Sequence, residues 1–179
     1  MSKFEIAIST LFIGFIVGQT TDFIKYKWQL RRQKKAVRSE IKDIQSDLGE
    51  KTERIKQVIA ELNSSHIGVQ VPGKISTLIF DKYFAEVAPY FSENERKSII
   101  TIYNNVKHFN DERDDGNRNS MKLVKRSLFL MYQQGVFGYA ASTYLLENGG
   151  DKLFLHETDK ITQINKDIES FAKSCEIIN

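Results

Sequence analysis

One segment of the chain has the spacing of a phosphate-binding loop. Residues 68–74 read GVQVPGK and satisfy G-x-x-x-x-G-K, a pattern in which backbone N–H groups and the lysine hold phosphates. Two departures count against this function, because Ile75 stands where a magnesium-binding Ser or Thr is needed and Pro72 removes one N–H group. Such a loop also follows a strand, whereas the preceding segment has the pattern of a helix. We therefore assign no nucleotide site to it.

Acidic residues and a histidine in the second half of the chain raise the question of a metal site. The run DERDDG at 111–116 has the acidic character of a calcium loop, but Arg113 and Lys122 take loop positions that require oxygen ligands. His108 and Glu112 share a helix face, yet no other histidine or cysteine lies nearby in the sequence to complete a zinc site. The sequence thus predicts no catalytic residue, no cofactor and no metal ligand.

The strongest charge feature is a cluster of seven basic residues between positions 25 and 38, with no acidic residue among them. The whole chain has 26 Lys and Arg against 23 Asp and Glu, so the sequence outside this cluster is mildly acidic. Such a cluster can bind the phosphates of nucleic acid or of anionic lipid. The basic cluster consists of Lys25, Lys27, Arg31, Arg32, Lys34, Lys35 and Arg38.

An apolar segment precedes the basic cluster. Residues 6–18 carry no charge, and the run extends over residues 4–24 if the polar residues within it are tolerated. At about 1.5 Å per residue, the short run covers roughly 20 Å, and the long run just crosses the roughly 30 Å hydrocarbon core of a bilayer. Its apolar residues fall on every face of a helix, as in a helix surrounded by apolar medium. The residues predicted to lie in a membrane span are Phe4, Ile6, Leu11, Phe12, Ile13, Phe15, Ile16 and Val17.

Two other interpretations of the apolar segment stay open. A cleaved signal would have positive charge before it and a small-residue cleavage site after it, whereas here the basic cluster follows. A buried core helix would need the rest of the chain to surround it. The basic cluster favours the span, with its N-terminus outside and the following residues in the cytoplasm, because Lys and Arg near a span are retained there. The predicted location is therefore the plasma (inner) membrane.

The span also predicts what its neighbours contact. Tyr26 and Trp28 have amphipathic rings that suit the headgroup layer of a membrane. Because the basic cluster directly follows the span, anionic lipid is the expected partner, and nucleic acid is disfavoured.

One face of the predicted span is formed by small residues. Thr10, Gly14 and Gly18 recur at intervals of four, which allows two spanning helices to approach closely and is compatible with a homodimer. Asp22 lies one turn further along the same face. A carboxylate at that depth is costly unless it reaches the interface or a cation, so we expect it to pair with Lys25 or water.

The residues after the span have the pattern of a long helix. Apolar positions recur at intervals of three and four, with a local stutter at Thr52. This stripe could form a coiled coil with a second chain or pack in cis against later helices, and we favour cis packing of its distal half. The stripe, called the seam below, consists of Val37, Ile41, Ile44, Leu48, Thr52, Ile55, Ile59 and Leu62.

Further helices are predicted over residues 75–88, from Ser92 to Phe109, over 119–147 and over 153–175. Ser92 and Glu95 have the spacing of a capping box at the start of the second of these. A short strand pair around residues 67–71 is the only alternative to helix that we considered. We therefore predict an all-α fold, in which residues 1–24 form a transmembrane anchor, 25–63 a basic juxtamembrane segment and stalk helix, and 64–179 a cytoplasmic helical bundle.

The function expected from this organisation is that of a non-enzymatic binding, scaffold or sensor module with an unidentified protein partner. Two alternatives were weighed. The first is an enzyme or effector subunit with a dispersed polar site around Asn104, His108 and Asp111. The second is a soluble helical protein whose first helix is buried.

Overall fold

The computed structural model describes residues 3–64, 70–114 and 120–175, apart from the side chains of Glu5 and Ser174. All regular elements in these ranges are helical, and the described residues contain no strand. The order is α1 (Lys3–Asn63), α2 (Leu78–Val87), a 3₁₀ turn (Ala88–Tyr90), α3 (Glu93–Asp114), α4 (Met121–Asn148), a second 3₁₀ turn (Phe154–His156) and α5 (Thr158–Ser174).

The first helix is one continuous element of 61 residues, about 90 Å long at 1.5 Å per residue. It divides into two parts, which we call the outer half (residues 3–29) and the inner half (residues 30–63). Every described side chain in the outer half is exposed. In the inner half, one stripe is buried and the other faces are covered by polar residues, as expected of an amphipathic helix on a core. Of the seam, Leu62 is half-buried and the other members are buried.

α2 and α4 pack along the inner half, α3 packs mainly on α4, and α5 packs on α4. The helices differ in direction. α2 runs antiparallel to α1, α3 runs parallel to it, α4 antiparallel, and α5 runs antiparallel to α4. The α2–α3 connection therefore lies at the end of the inner half that adjoins the outer half. The contacts that set these directions are Gln33–Glu86 and Glu40–Ile79 for α2, Arg38–Glu95 and Glu40–Tyr103 for α3, Gln45–Thr143 and Thr52–Gly135 for α4, and Tyr144–Lys160 and Tyr132–Phe171 for α5.

Two glycines allow α4 to approach α1 closely. A Cβ placed on Gly138 would lie 2.9 Å from Cδ1 of Leu48 and 3.3 Å from Cβ of Asn105, and one placed on Gly135 would overlap the methyl group of Thr52. Thr52 is the residue at the stutter of the seam, and its hydroxyl donates to the carbonyl of Leu48 at 2.8 Å. The stutter is thus the place where a small side chain meets a glycine across the interface.

A buried carboxylate fixes the start of α2. Glu40 on α1 accepts the backbone N–H groups of Ile79 and Phe80, each at 2.8 Å, and the hydroxyl of Tyr103 at 2.5 Å. These N–H groups belong to the first turn of α2, where no carbonyl of the helix itself is available to accept them. Burial and the hydrogen bond to Glu40 raise the pKa of Tyr103 far above its usual range. Glu40 therefore acts as a cap supplied by another helix.

Two predicted helices have different bounds in the structure, and the predicted capping box is only half formed. α2 begins at Leu78 instead of residue 75, because Ile75 is held outside the helix by two 2.9 Å hydrogen bonds between its backbone and the side-chain amide of Asn110. The segment 153–175 is divided into a 3₁₀ turn and α5. The capping box is half formed, because the hydroxyl of Ser92 accepts the N–H of Glu95 at 3.2 Å while the Glu95 carboxylate binds Arg38 instead. Residues 67–69 of the considered strand pair lie outside the described residues.

Candidate functional site

The outer half of α1 carries most of the exposed large apolar side chains of the described chain. Leu11 is 77% exposed and Phe15 is 62% exposed, whereas Val37 and Leu48 in the inner half are 0% exposed. By length and composition, this is the one helix among the described residues that could cross a membrane, and none of its most apolar window is buried. The chain therefore does not supply the cover that a buried core helix requires. All residues predicted to lie in the span are exposed: Phe4, Ile6, Leu11, Phe12, Ile13, Phe15, Ile16 and Val17.

Three threonine hydroxyls within the outer half are paired with the helix itself. Thr10, Thr20 and Thr21 each donate to the carbonyl four residues earlier, at 2.9, 2.8 and 2.8 Å. A hydroxyl that is already hydrogen-bonded costs less to transfer into an apolar medium than a free one. The three threonines are therefore compatible with an apolar environment around this segment.

The small-residue face of the outer half is open. Thr10, Gly14 and Gly18 are exposed, and a Cβ at either glycine would meet no atom within 4 Å. Asp22 on the same face is also exposed, and no cation in the described chain forms an ion pair with it. The expected ion pair between Asp22 and Lys25 is thus not formed. Asp22 is left to contact solvent or a group outside the described chain.

The α2–α3 corner (residues 88–92) packs on one face of the basic cluster. The hydroxyls of Tyr26 and Tyr90 are 3.0 Å apart, and Lys34 donates to the carbonyl of Tyr90 at 2.6 Å. Lys27 lies 5.7 Å from the centroid of the Tyr90 ring. The hydrogen bond with Tyr90 raises the pKa of Tyr26. The corner thus contacts α1 beside the end of the outer half, not at a distance from it.

Arg38 is the member of the cluster that is held in an ion pair within the described chain. Its guanidinium donates two hydrogen bonds to one carboxylate oxygen of Glu95, at 2.9 and 2.5 Å. Glu95 is buried and packs against Gly150, whose φ of 86° lies in the left-handed region that favours glycine. Lys34 lies 4.4 Å from the centroid of the Phe91 ring. These two basic residues are therefore engaged by the fold.

The opposite face of the cluster lines a groove of about 460 Å³ between α1 and α2. Lys25 and Arg32 lie one above the other on this face, at a spacing of seven residues. The guanidinium carbon of Arg32 lies 4.7 Å from the centroid of the Trp28 ring, a geometry in which the aromatic face attracts the cation. Neither cation forms an ion pair within the described residues. The groove is lined by Lys25, Trp28, Gln29, Arg32, Gln33, Ala36 and Tyr83.

The wall of this groove contains a buried polar side chain. Gln33 is 7% exposed, and its amide N–H donates to the Glu86 carboxylate at 2.8 Å. Its carbonyl oxygen accepts no hydrogen bond from the described chain. The amide orientation follows from its partner, because turning it around would place two acceptor oxygens against each other.

The other sequence motifs do not converge on a site. Lys74, the lysine of the G-x-x-x-x-G-K pattern, forms an ion pair with Asp114 of the acidic run. Residues 68–69 and 115–119 of these motifs lie outside the described residues. Asn104, His108 and Asp111 are all exposed, and no group of three His, Cys, Asp or Glu residues within the described ranges could hold a metal ion.

Three participants at the basic cluster were not identified by the sequence reasoning: Tyr90, Tyr83 and Gln33. Tyr90 meets Tyr26 across 64 positions of the chain, and no local pattern signals such a contact. For Gln33, a weak signal did exist, because it lies one turn before Val37 on the buried stripe of α1. A polar residue at a core position is often held there by a specific partner.

Comparisons of the chain with protein-family models, curated proteins and solved structures found no match.

Proposed function

We propose that this protein is a single-pass membrane protein in which residues 4–24 of α1 span the bilayer, with the helical bundle formed by the rest of the chain acting as a non-enzymatic binding, scaffold or sensor module in the cytoplasm. The observation that carries the proposal is the exposed apolar surface of the outer half. It surrounds the helix on all sides and includes the least covered large side chains, such as Leu11.

The hydrophobic effect favours an apolar environment around the outer half of α1. Full removal of a Leu, Ile, Val or Phe side chain from water contributes about 1.5–3 kcal/mol. Nine such side chains from Phe4 to Val17 are more than 45% exposed and spread around the helix, so a single partner groove would leave several of them in water. A bilayer covers all faces at once.

The register of the span sets the position of the folded part. If residues 4–24 cross the hydrocarbon core, Tyr26 lies about 3 Å beyond its edge at a rise of 1.5 Å per residue. Because Tyr90 touches Tyr26, the α2–α3 corner lies at the same level. The helical bundle then rests directly on the membrane surface. The residues predicted as a stalk form the first helix of this bundle and do not act as a spacer.

The basic cluster supports the cytoplasmic orientation. The members that lack an ion pair within the described chain, among them Lys25, Arg31, Arg32 and Lys35, are free to meet anionic lipid. A basic residue near such a surface contributes about 1 kcal/mol to binding. The same residues keep the segment that follows the span on the cytoplasmic side.

The span is better suited than the seam to form the contact between two chains of a homodimer. Seam residues such as Ile41 and Ile55 are buried against other helices of the same chain, whereas Thr10, Gly14 and Gly18 are open. Small residues at this spacing permit close approach of two helices in lipid.

Membrane fractionation tests the proposal. The full chain is expected to stay in the membrane pellet through high-salt and alkaline carbonate washes and to enter the supernatant with detergent. Protease added outside intact cells should leave the helical bundle uncut. Protease added to inverted vesicles should remove it. Release by carbonate would contradict the span, and cleavage from outside would contradict the orientation.

A further inference from the structure

We infer that the groove between α1 and α2 is a binding site for an anionic phospholipid headgroup that carries a hydroxyl donor beyond its phosphate, such as the glycerol of phosphatidylglycerol. This inference depends on the proposed span, which would place the groove at the membrane surface. It goes further than a general attraction of the basic cluster to anionic lipid, because it assigns the contact to particular residues and to one headgroup chemistry.

The cations of the groove are suited to a phosphate. Lys25 and Arg32 lie on one face of α1 and form no ion pair within the described residues. Arg32 is held by Trp28, so it does not need to be ordered at the moment of binding. An ordered guanidinium with free N–H groups is the donor best matched to phosphate oxygens. On α2, Lys82 lies 5.1 Å from the centroid of the Tyr83 ring and adds positive charge beside the groove.

The position of these side chains along α1 fits a lipid headgroup. Lys25 is one residue and Arg32 eight residues beyond Ile24, which corresponds to about 2 and 12 Å above the hydrocarbon edge. Long basic side chains can bend toward the interface from that height. The amphipathic ring of Trp28 lies between them, at the depth that such rings prefer.

The wall of the groove that contains Gln33 explains why the lipid headgroup is expected to carry a hydroxyl donor. Gln33 is buried with an unsatisfied carbonyl oxygen, and a buried acceptor without a donor is unfavourable. Glu86 already holds the amide N–H of Gln33, so the donor that is still needed must come from outside the described chain. This oxygen is itself buried in the wall, so a hydroxyl that follows the phosphate on the side away from the bilayer would meet it when the Gln33 amide turns toward the groove.

The chain supplies both a probe and a matched control. Trp28 is the single tryptophan of the protein and lies in the groove. The double variant Lys25→Gln with Arg32→Gln removes two cations from the groove. The double variant Arg31→Gln with Lys35→Gln removes two cations that belong to the same cluster but do not line it. Both variants change the net charge equally, so they separate a defined site from general electrostatic attraction.

The test is a titration of the full chain in neutral detergent micelles with short-chain lipids, followed by Trp28 fluorescence. Dihexanoyl phosphatidylglycerol should give a saturable change, dihexanoyl phosphatidylcholine none, and inorganic phosphate a change only at much higher concentration. The groove variant should bind phosphatidylglycerol at least about tenfold more weakly than the control variant, as expected when charge-assisted hydrogen bonds to the phosphate are lost.

A third variant tests the hydroxyl contact. Wild-type protein should bind phosphatidylglycerol more tightly than phosphatidic acid of equal chain length, and Gln33→Met should remove this preference without affecting phosphatidic acid. Equal loss of affinity in the two double variants would overturn the inference, as would equal binding of inorganic phosphate and phosphatidylglycerol. A chain that resists carbonate extraction but gives either of those results keeps its membrane anchor and loses only this site.

Discussion

The two halves of α1 belong to one uninterrupted helix, and yet they expose opposite kinds of surface. In the outer half, apolar side chains point in every direction and none is covered, whereas in the inner half they form a single stripe that is almost completely buried. The backbone is the same in both. What differs is the distribution of apolar residues around the helix axis, and this distribution decides whether the chain can cover them itself.

The two halves of α1 also differ in the contacts that their glycines and basic residues make. Glycines of α4 let the inner half pack closely, whereas a Cβ on Gly14 or Gly18 in the outer half would meet no other described part of the chain within 4 Å. Arg38 binds a buried carboxylate of the fold, whereas Lys25 and Arg32 at the junction are left without one. The junction near residue 30 is therefore where contacts within the chain end and contacts with other molecules are expected to begin.

Deletion of residues 1–24 is expected to have the largest effect. The truncated chain should move almost completely from the membrane pellet to the supernatant, because it lacks the exposed apolar surface. Its helical bundle should keep its thermal midpoint within a few degrees, since the described residues among those deleted contribute no buried side chain to the core. Circular dichroism of the soluble fraction measures this midpoint. A truncated chain that unfolds or aggregates would show that the two halves are not independent.

The second prediction compares the same substitution in both halves. Ile41→Ala should lower the free energy of unfolding by about 2–5 kcal/mol, because Ile41 is 1% exposed and its removal leaves a cavity. Ile13→Ala, at a side chain that is 61% exposed, should change it by less than about 0.5 kcal/mol. Urea unfolding of the full chain in neutral detergent, followed by circular dichroism, measures both. Similar effects of the two variants would contradict the division at residue 30.

The third prediction makes the same comparison with glycines. Gly138→Ala should destabilise the fold by about 1–3 kcal/mol, since the added Cβ would lie 2.9 Å from Leu48 and push α4 away from α1. Gly14→Ala should not destabilise the fold, because its Cβ would meet no atom of another described part of the chain within 4 Å and alanine favours a helix more than glycine does. The same urea titration applies. If Gly14→Ala changes the oligomeric state in detergent without changing stability, the small-residue face is a contact between chains.

The smallest effect is a pH dependence that comes from Tyr103 of α3, whose hydroxyl donates to Glu40 on the inner half. Because the fold raises the pKa of Tyr103 above that of the unfolded chain, the native state favours the neutral phenol. This contribution is fully present below about pH 10 and is lost above it, at about 1.4 kcal/mol per pH unit. Burial also raises the pKa of Tyr132, which steepens the loss.

Tyr103→Phe should flatten this alkaline decline while lowering stability at neutral pH, because Glu40 loses one of its donors. Unfolding free energies measured between pH 8 and pH 11 in both proteins provide the comparison. An alkaline slope that is identical in the variant would show that Tyr103 does not carry the effect.

The sequence predicted the helical class and the long apolar N-terminal helix because both depend on local periodicity. The buried stripe from Val37 to Ile59 was visible as a seam for the same reason. The boundary of α2 could not be predicted, because its cap is Glu40, which lies 39 positions earlier than Ile79. Local patterns predict which face of a helix is apolar, but they do not identify the residue that meets it from another part of the chain.

The same limit applies to the junction. The seven basic residues were visible as one cluster, but their separation into residues held by the fold and residues left open depends on Tyr90, Glu95 and Tyr83. These contacts cross about 50 to 65 positions. The sequence therefore predicted the charge of the site and its location in the chain, but not which of its cations are available.

The membrane depth of α1 tests the central claim most directly. In a Cys175→Ala background, a spin label is placed at Phe15 in the outer half or at Ser46, which is exposed on the inner half, and the full chain is reconstituted in bilayers. We predict that the label at position 15 is accessible to oxygen and protected from a water-soluble nickel relaxant, and that the label at position 46 shows the reverse. Equal exposure of both labels to the nickel relaxant would contradict the division of α1 into a membrane-spanning half and a folded half.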